Sequence, residues 1–219
     1  SALANERLPV FDWVDGYVVS QKHSKSYVVT STKGYKEVLF IGSPELNARI
    51  RAHFRNKRNQ PLKQRELDDL NGELRSDAEE FGVHLELYPR VHPLDGGGVE
   101  LDLNDGKGTT VQLTADGVKV LTGTSNTLFF RSASALSLPL PADHGDFSLL
   151  RDYVNLEQYA FLLYIGWVTF TIANPKVEAT KYLFLVIKGT QGSGKTFASK
   201  TTQRVIDPNA VSVQMLPGS

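Results

Sequence analysis

Residues 182–196 read YLFLVIKGTQGSGKT, an apolar run that passes without interruption into a glycine-rich turn. Gly189, Thr190, Gln191, Gly192, Ser193, Gly194, Lys195 and Thr196 satisfy G-x-x-x-x-G-K-[ST] at every defined position. The spacing has a chemical purpose. Glycines let the backbone curl into a nest of N–H donors around two phosphates, and the next helix turns its positive end toward the same oxygens. Lys195 is then placed to reach the β- and γ-phosphates, and the Thr196 hydroxyl to ligate Mg²⁺. The flanks fit the motif. Tyr182–Ile187 has the composition of a strand buried on both faces of a parallel sheet, and FASKTTQRVI (197–206) has that of a helix. The cofactors expected from this stretch are ATP and Mg²⁺.

The segment beyond the loop is short. Only 23 residues (219 − 196) lie beyond Thr196, and their one acidic residue is Asp207, in an Ile-Asp-Pro-Asn turn and not at the end of an apolar strand. A nucleotide-hydrolysing core needs more parallel strands and an acid on one of them for the metal and the attacking water. The sequence is therefore expected to bind nucleotide weakly, not to hydrolyse it, and to be truncated within the domain that Tyr182–Thr196 begins.

From Leu128 to the end, the residues resemble the P-loop ATP-binding replication proteins, primase- or helicase-like ATPases, of phages, prophages and integrative elements. The resemblance is carried by FFR (129–131), PLP (139–141), LRDYVNL (150–156), the helix around Trp167, LFLVIKGTQGSGKT and RVIDPNA (204–210). The two-helix region and GVELDLNDG (98–106) match the order of that family less specifically. The resemblance implies an ATPase of the replicative-helicase kind, a ring-forming homo-oligomer, with DNA as partner. In the family an apolar run ending in Asp-Asn, the Walker B segment, comes after the IDP turn, and this sequence stops before it. Roles carry over to the phosphate loop and to no catalytic residue.

Upstream, residues 12–43 alternate β-branched and aromatic with polar residues, which predicts a small antiparallel meander. Ser43-Pro44 reads as a helix start, with Leu46, Ile50, His53 and Phe54 on one face. After Asn59-Gln60-Pro61 a second helix carries the stripe Leu67, Leu70, Leu74, Ala78 and Phe81. Residues 83–141 return to strands, punctuated by Asp95-Gly96, Asp105-Gly106 and Asp116-Gly117. The expected architecture is an α+β N-terminal domain over 1–141, antiparallel strands with a two-helix insertion. Residues 142–219 then form a helical linker and the start of an α/β P-loop NTPase domain.

Composition narrows the rest. The 219 residues hold 24 Lys+Arg, 24 Asp+Glu and no Cys, which excludes disulfides, Cys-ligated zinc and a thiol nucleophile, and fits a reducing cytoplasm. The most apolar stretch, Ala160–Ala173, is 14 residues long against the roughly 20 needed to span a bilayer, so no membrane association is expected. Zero net charge means that any nucleic-acid contact must be local. Between Glu45 and Arg65 seven basic residues stand against one acidic, among them Arg49, Arg51, Arg55, Lys57 and Arg58. Residues 66–80 reverse the balance, seven acidic against Arg75. The basic run reads either as a contact to DNA phosphates or as one of two solvated helices that neutralise each other. The basic run also motivates a rival to the ATPase reading, in which the chain is a DNA- or protein-docking module with a residual phosphate loop. Glu100, Asp102 and Asn104 alternate with Val99, Leu101 and Leu103, which puts two carboxylates on one strand face. A two-metal nuclease or primase site requires such a pair, and the wet face of a half-buried strand also shows it; the second reading is the expected one. The five histidines show no ligand spacing.

Overall fold

The computed structural model describes residues 11–20, 24–31, 33–58, 61–174 and 181–211. It is a mixed α+β protein with two four-stranded sheets and five helical segments. It divides into two compact units: residues up to Pro89 with Thr122–Arg131, and Arg90–Leu121 with the described residues from Ser132 onward. The 141/142 boundary read from the sequence lies within the second unit.

In the first unit β1 (Gly16–Ser20), β2 (Ser26–Thr30) and β3 (Glu37–Phe40) form the expected antiparallel meander, and β4 (Val83–Leu85) joins β1 in parallel to give the order β3-β2-β1-β4. Period-two geometry sorts the side chains into two cores. Tyr17, Val19, Val28, Leu39 and Ile41 meet the helices, while Val18, Tyr27, Val29 and Val38 pack with Leu87, Leu128 and Phe130 on the opposite face. Helix α1 (Pro44–Arg58) starts where the sequence predicts, with the Ser43 hydroxyl accepting from Leu46 N at 3.2 Å. Helix α2 (Gln64–Phe81) opens with the Glu66 carboxylate accepting from Lys63 N at 2.9 Å and buries Leu67, Leu74 and Ala78.

In the second unit β5 (Val91–Pro93), β6 (Val99–Asp102), β7 (Thr109–Thr114) and β8 (Gly117–Thr122) run in sequence order. Gly98 is required at the head of β6: its φ is +93°, and a Cβ there would lie 2.2 Å from the Leu113 carbonyl oxygen. Beyond the sheet come a 3₁₀ turn (Phe147–Asp152), α3 (Gln158–Ala173) and α4 (Lys195–Ile206). Val154, Phe161, Tyr164 and Val168 form the core that α3 shares with Ala198, Val205 and Ile206 of α4. Across it, Thr202 Oγ1 donates to the Ala198 carbonyl at 2.7 Å, so its single proton is used and the Tyr164 hydroxyl, 3.0 Å away, is the donor between them. Among the described residues no helix is long and apolar enough to cross a membrane.

The structure corrects three expectations. The strand region read over 83–141 ends at Thr122, and beyond it Phe129, Phe130 and Ala135 make only isolated bridges, because no second segment runs alongside them far enough to build a ladder. Tyr182–Ile187 is not a strand, because a strand exists only through its ladder and no described segment pairs with this one. Leu185 turns toward the α3–α4 core, whereas Phe184 is 92% exposed and Val186 70%. Glu100 and Asp102 do not lie on a wet face: each is 1% exposed. Glu100 sits between its cross-strand neighbours His92 and Gln112 and accepts from Gln112 Nε2 at 3.2 Å. The alternation is genuine, but both faces of β6 are covered. These burials predict a contrast in urea denaturation. Phe161→Ala should lower stability by about 3–5 kcal/mol, and Phe184→Ser should change it by no more than about 0.5 kcal/mol.

Candidate functional site

The glycine-rich loop is formed in the structure and leads directly into α4. Gly192 and Gly194 have φ of +80° and +81°, the left-handed region, and Gly194 caps the helix whose first residue is Lys195. Ser193 N donates to the Thr190 carbonyl at 3.3 Å and closes the turn. The Lys195 ammonium folds back over the loop and donates to Gly189 O at 2.9 Å, Thr190 O at 2.6 Å and Ser193 Oγ at 3.4 Å. Those three contacts use all of its protons. A methyl group at Gly189 would lie 2.5 Å from Ser193 Oγ and displace the hydroxyl that the lysine holds. Thr196 is exposed on the first turn of α4, and Gln191 is exposed at the loop tip.

This donor set fits a phosphate chain. The lysine is anchored on two neutral carbonyls and a hydroxyl, weak acceptors that an anionic oxygen would replace with stronger, charge-assisted bonds. The N–H groups of the first turn of α4 are without intrahelical partners by construction. The loop opens into a cleft of about 1130 Å³ between the 3₁₀ turn, α3 and residues 183–190. Thr190, Ser193, Gly194 and Lys195 line it together with Tyr153, Asn155, Tyr164, Trp167 and Phe197. Trp167 lines the cleft and donates from Nε1 to the Leu183 carbonyl at 2.9 Å.

The far end of α4 is fixed by a residue to which sequence reading gives no role. Arg90, 8% exposed in its side chain, donates from Nε to Asp207 Oδ1 at 2.7 Å, from Nη1 to Asp102 O at 3.2 Å and from Nη2 to Leu136 O at 2.9 Å. Asp207 is thus engaged as an ion-pair partner at the C-cap of α4. The same junction is stitched by Leu136 N to Pro208 O at 2.9 Å and Ala210 N to Ser134 O at 2.9 Å. A sequence signal for this pairing exists: an arginine inside the strand-like run HLELYPRV needs a partner, and an acid in a Pro-bounded turn supplies one.

The basic run on α1 is partly neutralised. Arg49 bonds the Glu37 carboxylate, and its other neighbour, Glu45, lies 3.5 Å away. Arg51 donates to Leu62 O at 3.0 Å and Gln64 Oε1 at 2.7 Å. Arg55 and Lys57 are exposed, and the Arg58 side chain lies outside the described residues. These two acids come from β3 and from the first turn of α1 itself. Burial alone would raise the Glu37 pKa, but the hydrogen bonds from Lys33 and Arg49 outweigh it and hold the carboxyl below its ordinary range. Among the described residues no three His, Asp or Glu side chains are grouped to hold a metal.

The chain matches no protein-family model, no curated protein and no solved structure.

The pairings of Arg90 and Glu37 carry measurable consequences. Arg90→Met removes three bonds and leaves buried carbonyls without donors, so it should cost about 3 kcal/mol or more in denaturant unfolding. Asp207→Asn, whose side chain is half exposed, should cost about 1 kcal/mol or less. Because Glu37 titrates below its unfolded value, the stability it confers is complete above the ordinary carboxylate range, about 4.3. It is lost as the pH falls through the depressed value. The stability gap between wild type and Glu37→Gln, measured at neutral pH, should therefore close in acid.

Proposed function

We propose that this chain binds a nucleoside triphosphate, ATP with Mg²⁺, through residues 189–196, as the nucleotide-binding portion of a replication helicase- or primase-like ATPase of a mobile genetic element. The observation that carries the reading is the coincidence of a complete G-x-x-x-x-G-K-T signature with a loop whose Lys195 ammonium rests on exchangeable neutral acceptors at the start of a helix. On this reading Lys195 leaves Gly189 O and Thr190 O for the β- and γ-phosphate oxygens. The Gly192–Lys195 backbone supplies N–H donors, and the end of α4 lends its partial positive charge. Thr196 offers its hydroxyl to the metal, whose contribution when bound is to neutralise the phosphate charge.

Hydrolysis is assigned to no residue of this chain. The acid nearest in sequence to the loop on its C-terminal side, Asp207, is committed to Arg90. DNA as partner and homo-oligomerisation belong to the same proposal and rest on the sequence resemblance. On the DNA side, Arg55 and Lys57 of α1 are exposed, whereas Arg49 and Arg51 already serve the fold.

Calorimetric titration with ATP in the presence and absence of Mg²⁺ tests the site. Lys195→Ala removes charge-assisted phosphate contacts, so binding should weaken by a factor of about 10–150. Thr196→Ala should abolish the gain that Mg²⁺ gives and leave metal-free binding in place. ATP affinity equal in wild type and Lys195→Ala would refute the assignment.

A further inference from the structure

Two large aromatic side chains of the cleft are left uncovered by the fold. Tyr153 is 52% exposed and Phe197 57%, although both belong to a unit whose core buries Phe161 and Tyr164 nearby. Their rings are nearly parallel, 18° between planes and 6.3 Å between centroids. Both line the cleft that Thr190, Ser193, Gly194 and Lys195 line.

We infer that Tyr153 and Phe197 form the platform on which the purine ring of the bound nucleotide stacks. The inference rests on the reading of residues 189–196 as a phosphate loop and adds the part of the ligand that the loop does not recognise. Phosphates fix charge and position but say nothing about the base, so a nucleotide site needs a second, apolar surface within reach of the first. Phe197 stands one residue after Thr196 and two after Lys195 on the first turn of α4, about 3 Å along the axis from the lysine. The ring of Phe197 thus belongs to the same cleft as the phosphate loop and starts from the turn of α4 that the loop opens.

The opposing ring is held independently. Tyr153 ends the 3₁₀ turn, with its N–H donating to Leu150 O at 3.0 Å, and the next residue, Val154, is 3% exposed in the core. Neither ring depends on the other for its backbone position, so the pair is a preformed surface. Each exposed aromatic face lacks the contacts that a flat heteroaromatic ligand would supply. The two rings read ring faces, not edges, so they favour the larger purine over a pyrimidine without choosing between adenine and guanine.

The test separates base from phosphate by titrating ATP and inorganic tripolyphosphate against the wild-type chain, Tyr153→Ala, Phe197→Ala, Phe197→Leu, Tyr153→Phe and Lys195→Ala. Both alanine variants should weaken ATP by about 5- to 150-fold and leave tripolyphosphate unchanged. Tyr153→Phe keeps its ring and should keep ATP affinity. Phe197→Leu keeps apolar volume, so a loss of ATP affinity in this variant with an unchanged thermal melt assigns the loss to stacking. Lys195→Ala should weaken both ligands. Alanine variants that bind ATP as wild type does, or that weaken ATP and tripolyphosphate equally, would overturn the stacking role while leaving the phosphate site standing. Lys195→Ala without effect on either ligand would remove the phosphate reading and the stacking role with it.

Discussion

A guanidinium cannot be buried without partners, and the pairing of Arg90 organises the second unit. Its three donated bonds end on the Asp207 carboxylate and on the carbonyls of Asp102 and Leu136. They tie together the last residue of β6, the strip before the 3₁₀ turn and the C-cap of α4. Since α4 is a rigid rod of 12 residues, fixing one end constrains the other. That other end is the glycine-rich loop. Tyr164 and Thr202 add a second fixed point midway, where the hydroxyl chain to Ala198 O locks the rotation of α4 against α3.

The loop itself is shaped by backbone requirements that few residues meet. Two left-handed glycines and a third position where a methyl would collide with Ser193 leave little freedom in sequence. Within that turn the lysine is held by two carbonyls and a hydroxyl. A cation parked on neutral acceptors is poised for exchange with an anion, because the exchange replaces each bond with a charge-assisted one. The uncovered rings of Tyr153 and Phe197 extend this preformed charged end with an apolar one.

Several features are legible in the sequence because they depend on local chemistry. Ser43-Pro44 announces α1, the stripe Leu67, Leu74 and Ala78 marks the buried face of α2, and period-two alternation marks the meander β1–β3. The phosphate-loop signature is complete in eight residues. Other expectations depend on what lies beside a segment, which a linear pattern does not record. Tyr182–Ile187 has the composition of a buried strand but no paired neighbour among the described residues, and without a ladder it is no strand. Glu100 and Asp102 alternate like surface residues but are buried, since a covered sheet face tolerates polar side chains that find partners. The basic run on α1 has the look of one surface in the sequence, yet Arg49 is taken up by Glu37 from a strand that precedes the helix.

The sequence by itself determined where α1 begins, which residues of β1–β3 alternate into the cores and where the glycine-rich signature lies, because each of these is set by neighbours within a turn or two of chain. Only the tertiary structure decided the partners: Arg90 with Asp207, 117 residues apart, and Tyr153 with Phe197 across the cleft. The first of these comes from burial, since the Arg90 side chain is 8% exposed. A charge or a polar atom removed from water must find its counterpart wherever the fold brings one, and that distance through space is not written in spacing along the chain.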